Sequence, residues 1–454
     1  MALRLPGDGS SRRDFLKLSG AALLASNALE RIAHAAQPRS INAMPNLAPG
    51  AFARGDDTLK VALIGCGGRG TGAASQALST AGNVKLVALA DAFQDRLDNS
   101  LKSLRAEHAD RVDVTPDRCF VGFDAYQKAI DLCDVAILTT PPGFRPIHFE
   151  YAISKNKHVF MEKPVAVDGP GVRRVLAAAE QAKQKNLKVG VGLQRHHDPG
   201  YIETVKRLQD GAIGDFTLFR VFWCDSGVWK RPRQPDWNEM TYQMRNWYYF
   251  VWICGDHIVE QHIHNLDVAN WVMNATPARA RGQGGLQFRN DIDHGEIFDH
   301  HMVEFTYPNG TKMMSLCHHW NDTWSDVSEH AHGTKGAADL GGYRIETRGA
   351  PEWKFALPRG TEPTNPYQVE HDVFFDAVRN DKPHNEAFYG ATSTMTAIMG
   401  RMATYSGRDI SWDEALNSKL ALVPTKYDWD GSPPSLPDKE LRYKIPMPGA
   451  TQAL

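Results

Sequence analysis

The stretch TLKVALIGCGGRGTGAASQAL, residues 58–78, joins a β-branched apolar run to an alanine-rich segment through Gly65, Gly67 and Gly70. The apolar run reads as a buried strand and the alanine-rich segment as a helix, which places the glycines, with Arg69 among them, in the turn between. Glycine there permits a sharp reversal and lets a pyrophosphate approach the helix N-terminal amides. The next apolar run, VKLVALAD, ends at Asp91, 21 residues beyond Gly70. A carboxylate in that place accepts hydrogen bonds from the adenosine ribose hydroxyls and repels a 2′-phosphate, so NAD is expected and NADP disfavoured.

The alternation continues through DVAILTTPP (134–142), KHVFMEKPVAV (157–167) and LKVGVGLQRHH (187–197), each an apolar strand candidate followed by helical sequence. The implied fold is α/β, an N-terminal Rossmann unit with a doubly wound parallel sheet over residues 58–195. Ligands of such sheets sit at the strands' carboxyl ends, so Thr140, Pro141, His148, Glu162, Lys163 and Arg195 join Gly65, Gly67, Arg69, Gly70 and Asp91 as expected cofactor contacts.

After residue 195 the pattern changes. FTLFRVFWCD (216–225) and the runs flanking Pro308-Asn309-Gly310 read as strands, the latter two as a hairpin, which makes residues 196–370 an α+β domain. Between them lies GDHIVEQHIHNLDVAN (255–270). On one continuous helix His257, Glu260, Gln261 and His264 share a stripe that Asp267 and Val268 extend, while His262 points elsewhere. The stripe fits a divalent metal held by His257, Glu260 and His264, a proton-transfer site, or a satisfied polar helix. The absence of HEXXH and the presence of Lys163 favour proton transfer without metal.

Outside these domains, residues 1–36 contain a paired Arg12-Arg13, then Phe15, Leu16 and Lys17, a modestly apolar segment and Ala33-His34-Ala35. This resembles a twin-arginine (Tat) export signal cleaved after Ala35, handled by the Tat translocon and leading to the periplasm or another exported location. A proline-bearing linker, 37–57, follows, and a tail, 421–454, closes the chain. A net charge of −2 offers no field for nucleic acid, and no apolar run beyond residue 36 is long enough to span a bilayer. Six scattered cysteines without CxxC argue against a zinc cluster or a disulfide framework.

With GCGGRG, TPP and EKP in this order, and Glu260-x-x-x-His264-x-x-Asp267 following, the chain resembles the Gfo/Idh/MocA oxidoreductases over about residues 58–415. The resemblance implies a C-terminal domain with an open, largely antiparallel sheet, often an oligomer interface, so a homo-oligomer is expected. Residues 371–420 would be helices returning to the Rossmann domain. It also implies that Lys163 lies near the nicotinamide and the substrate hydroxyl, and that His264 is the base. Glu260 stands where the family's typical aspartate orients that histidine and raises its pKa. Glutamate departs from the pattern by one methylene.

Residues 220–252 carry Trp223, Trp229, Trp237, Trp247, Tyr248, Tyr249 and Trp252. Aromatic faces suit the C–H faces of pyranose rings, so Arg245, Trp247, Tyr249, His257 and Asp267 are the expected substrate contacts. The activity expected is oxidation of a sugar or glycoside hydroxyl, at pyranose carbon 3 in one version, with hydride to tightly held NAD. Redox-neutral, NAD-dependent glycoside cleavage and a non-catalytic nucleotide or sugar sensor are the alternatives.

Overall fold

In a computed structural model the described residues are 57–454, all within one compact unit. The export signal and most of the linker lie outside them. The opening stretch forms β1 (Leu59–Ile64), a turn, and the helix Gly68–Ser79. β1 is joined by β2 (Val84–Asp91), β3 (Cys119–Val121), β4 (Val135–Leu138), β5 (His158–Met161) and β6 (Val189–Val191). All pair parallel in the order β3-β2-β1-β4-β5-β6. The order reverses between β1 and β4, and this switch opens a crevice at their carboxyl ends.

The chain then builds a nine-stranded sheet from β7 (Phe216–Asp225), β8 (Arg279–Gly285), β9 (His300–Thr306), β10 (Lys312–His319), β11 (Asp326–Gly333), β12 (Gly336–Asp339), β13 (Arg344–Thr347), β14 (Trp353–Lys354) and β15 (Ile410–Ser411). β7 and β10 pair parallel and the other neighbours antiparallel. The expected hairpin joins β9 to β10, with Gly310 at φ 89 closing its turn. Along β9 the side chains alternate: His301, Val303 and Phe305 are buried, Met302 is exposed. The inner face is covered by the helix Ala387–Ser406, most of whose residues are buried. That helix also packs on Gly169–Gln184 beside the parallel sheet, while Pro366–Arg379 packs on Gly68–Ser79 and β6. Residues 421–454 contain no helix or strand; Tyr427, Trp429 and Tyr443 pack against Phe123, Phe144 and Phe250.

One expectation about secondary structure fails at a decisive place. The stripe from His257 to Asp267 is not one helix face. A four-residue helix, His257–Glu260, ends at Gln261, and a second helix begins at Ile263. Gly255 and Asp256 enter this segment at φ 82 and 81, so the chain turns sharply just before it.

Candidate active site

Gly65 and Gly70 build the turn after β1. Gly65 has φ 99, and a Cβ there would stand 2.5 Å from the Thr140 nitrogen; a Cβ on Gly70 would stand 2.0 Å from the Gly65 oxygen. Backbone from three segments therefore touches where any side chain would intrude. Gly67 differs: a Cβ there would meet nothing within 4 Å, because it faces the crevice. The crevice encloses about 480 Å³ and is lined by both domains.

At one end Asp91 closes β2, accepting hydrogen bonds from the backbone N–H of Cys66 (2.6 Å) and Phe93 (2.9 Å). Burial raises its pKa against the pull of those two donors. Phe93, Arg96 and Phe123 stand beside it. Arg245 reaches across from the second domain, its guanidinium 3.7 Å from the Phe93 ring centroid and paired with Asp95 at 2.8 Å. Arg231, lying over Trp229, extends this cover, and Trp247 also lines the crevice.

Midway, Arg69 pairs with Glu162 at 2.7 Å and lies over Tyr367. His148, buried between Tyr126 and Phe144, meets the Thr140 hydroxyl at 3.1 Å. Burial and the neighbouring Arg145 push its pKa down to about 3.

At the far end Lys163, following Glu162 out of β5, lies 3.3 Å from the Glu260 carboxylate and also donates to the Glu260 carbonyl. His264 lines the same end, its ring stacked 5.8 Å from that of Trp223. Burial, then the positive charges of Lys163 and Arg195, hold the His264 pKa well below that of a free imidazole. The sequence expectation that Glu260 orients His264 and raises its pKa is corrected: Glu260 serves Lys163. A neutral imidazole, able to take a proton, thus stands beside a cation able to polarise an oxygen.

The structure separates the expected contacts into two groups. Gly65, Gly67, Arg69, Gly70, Asp91, Thr140, Pro141, His148, Glu162, Lys163, Arg245, Trp247, Glu260 and His264 line the crevice. Four do not. Arg195 is paired with buried Glu329 and lies over Tyr201. Tyr249 is buried and donates to the Val228 carbonyl. Asp267 is held by His196 and Ser393. His257 is fully buried among His301 and His319. Because the helix breaks, His257 turns away from Glu260 and His264, so those three do not form the metal group that the stripe allowed. Arg245, expected at a sugar, lies instead toward the Asp91 end, on Phe93 and Asp95, while Trp247 lines the crevice against Trp229 and Tyr248. Arg96, Phe123, Gln194 and Tyr367 also line the crevice, and no spacing in the sequence marks them. Trp229 was visible only as one of a run of aromatics.

These residues fit NAD. The open side of Gly67 leaves room for a pyrophosphate at the N-terminus of Gly68–Ser79, and Asp91 keeps acceptor capacity for a ribose diol.

Comparison with known proteins agrees. Residues 59–192 match a family model described as an oxidoreductase family with NAD-binding Rossmann fold, and residues 201–339 match the GFO/IDH/MocA C-terminal domain. An inositol 2-dehydrogenase of Rhizobium meliloti is 24% identical over 281 residues, 62% of this chain and 74% of the relative. Another, from Klebsiella pneumoniae, is 30% identical over 263 residues, 56% of this chain and 65% of the relative. The crystal structure of aldose-aldose oxidoreductase from Caulobacter crescentus superposes with a TM-score of 0.61 at 17% identity, covering 78% of this chain and all of that one. The two family models together span more than half of the sequence, and the chain belongs to the Gfo/Idh/MocA family of oxidoreductases.

Proposed function

We propose that this enzyme oxidises a secondary hydroxyl of a sugar, glycoside or related polyol, with NAD held as a retained cofactor. The observation that carries this reading is the convergence of Lys163, Glu260 and neutral His264 at one end of a crevice whose other end suits an adenosine ribose. NAD, when bound, accepts hydride from the alcohol carbon. Lys163 donates a hydrogen bond to the reacting oxygen and stabilises negative charge on it, and Glu260 fixes the ammonium in place. His264 takes the hydroxyl proton; its low pKa keeps it unprotonated and available near neutral pH. Trp223, stacked on His264, supports the imidazole from its own face, and Trp229 and Trp247 line the crevice with the flat apolar faces that a ring of C–H groups requires. The inositol dehydrogenases among the relatives favour a polyhydroxylated ring as substrate.

Retention of the cofactor is supported by the second-domain cover over the Asp91 end, where Arg245 bridges to Asp95 and Phe93. It also suits an exported enzyme, which meets no recycling pool of free NAD. The Arg12-Arg13 signal would take the folded chain through the Tat translocon to the periplasm, and replacing both arginines with lysine should leave the protein in the cytoplasm. Homo-oligomer formation is supported by the outer face of the nine-stranded sheet, where Met302, Leu316 and Phe222 form an apolar row in register.

The test is a panel of inositols, pyranoses and glycosides offered to the NAD-loaded enzyme. Growth of the reduced-nicotinamide absorbance with one substrate class is expected. Release of a cleaved glycoside without net reduction would favour redox-neutral cleavage, and no response to any member would favour a sensor.

A further inference from the structure

Behind Glu260, outside the crevice, lies a second cluster of ligating side chains. Asp256, His257 and His301 each point one donor atom inward, and these atoms lie within 4.8 Å of one another. The His301 Nε2 is 3.2 Å and the His257 Nε2 3.9 Å from the same Asp256 Oδ1. Asp256 and His257 are fully enclosed, and His301 is 2% exposed.

Hydrogen bonding leaves this cluster incomplete. Neither ring nitrogen of His257 has a hydrogen-bond partner, and the His301 Nε2 faces the Asp256 carboxylate without forming a hydrogen bond to it, although all three atoms are buried. Buried polar atoms ordinarily find a partner, so the unpaired imidazole of His257 beside Asp256 and His301 calls for an occupant. The surrounding groups hold the donors in fixed directions, as the hydrogen-bond partners of metal ligands do. Thr404 Oγ1 meets His301 Nδ1 at 2.9 Å, which directs Nε2 toward Asp256. The other Asp256 oxygen is held by the Tyr405 hydroxyl at 2.5 Å and the Phe298 N–H at 3.1 Å. Asp256, a non-glycine residue, sits at φ 81, a backbone position that its surroundings must hold.

We propose that Asp256, His257 and His301 bind one divalent cation, zinc by its preference for imidazole and carboxylate donors in a small closed site. His319, its ring centroid 4.4 Å from that of His257, stands beside the cluster with its Nε2 on the Gln261 side chain at 2.7 Å. Ligand bonds of about 2.0–2.2 Å need the three donors to draw inward modestly. The ion is structural. It pins the turn at Gly255–Asp256 and with it the four-residue helix that carries Glu260 to Lys163, which explains how so short a helix holds a charged side chain in register.

The experiment uses the full chain, prepared without a histidine tag, loaded with Zn²⁺, dialysed against metal-free buffer and assayed for bound metal. One equivalent per chain is expected in the wild type and in His264→Ala and Glu260→Gln, and a loss of at least about 10-fold in affinity in His301→Leu and Asp256→Asn. Loading with Co²⁺ gives a readout that needs no variant, an intense visible ligand-field band typical of low-coordinate nitrogen and oxygen ligation. No retained ion and no such band would overturn the proposal and leave a buried water as the occupant. Full retention in folded His301→Leu, or loss in His264→Ala, would also overturn it, the latter by moving the ion into the crevice. None of these outcomes depends on the identity of the substrate, so they leave the proposed oxidation separately testable.

Discussion

Lys163 and Glu260, 97 residues apart in sequence, meet across the domain boundary at 3.3 Å. Each is only slightly exposed, 13% and 16% by side chain, so the pair is poorly screened. The contact ties the loop after β5 to the short helix of the second domain and gives the lysine a fixed direction. Glu260→Gln is expected to lower kcat by about 10–100-fold while NAD affinity stays within about 2-fold, because the ammonium remains but loses its anchor. Glu260→Asp, one methylene shorter, should fall between the two. Steady-state kinetics with NAD titration check this, and a pure KM effect would contradict it.

The His264 imidazole is held neutral well below its ordinary range by burial, Lys163 and Arg195. A depressed pKa keeps the base form populated as pH falls, so the acid limb of kcat/KM should lie below about pH 6.5. Lys163→Met removes one of these two positive neighbours and should move a residual acid limb upward. An acid limb above pH 7 in the wild type would contradict the assignment.

Arg245 spans from the second domain to Asp95 and Phe93 over the Asp91 end of the crevice. A partly exposed ion pair and a cation–π contact contribute about 1–2 kcal/mol together. Arg245→Ala is therefore expected to speed NAD release about 10-fold with little change in the chemical step. Stopped-flow displacement of bound NAD measures the rate directly; unchanged release would show that the cover does not retain the cofactor.

Asp91, the proposed ribose acceptor, lines the crevice together with Arg96. Asp91→Ser should weaken NAD by about 10-fold and narrow the preference over NADP, since the repelling carboxylate goes while the cation remains. Calorimetric titration with both dinucleotides checks this.

Burial, the main cause in each case, holds His148 and His371 to about 3 in the folded chain. Unfolded histidines titrate near about 6.5, so between these values the unfolded state binds more protons. The stability these two residues confer is complete above about pH 6.5 and is lost as pH falls below it, by roughly 2 kcal/mol per residue at pH 5. Urea unfolding at pH 7, 6 and 5 should show this slope, and His371→Gln should reduce it; an unchanged slope would contradict the account.

The parallel sheet was legible because its signals are local. A buried strand, three glycines, a helix and an acid at fixed spacing impose one geometry, and Gly65 and Gly70 occupy positions that a Cβ would disrupt. Lys163 and His264 were legible as residue types suited to proton handling. What escaped was set by tertiary placement. Two positive-φ residues, Gly255 and Asp256, followed by a break at Gln261 turned His257 out of the stripe, and helical periodicity carries no sign of such a break. Glu260 was assigned to the histidine four residues away, while its actual partner comes from the other domain. Arg195 was placed at the cofactor because it ends a strand, yet buried Glu329 on β11 captures its charge.

In the proposed reaction Lys163 and His264 handle the proton while hydride passes to bound NAD. Single-turnover reduction of the NAD-loaded enzyme by its best polyol or glycoside tests it most directly, with Lys163→Met and His264→Asn beside the wild type. A fast rise in reduced-nicotinamide absorbance is expected in the wild type and a loss of at least about 100-fold in rate in each variant, with NAD still bound. Wild-type rates in either variant would contradict it.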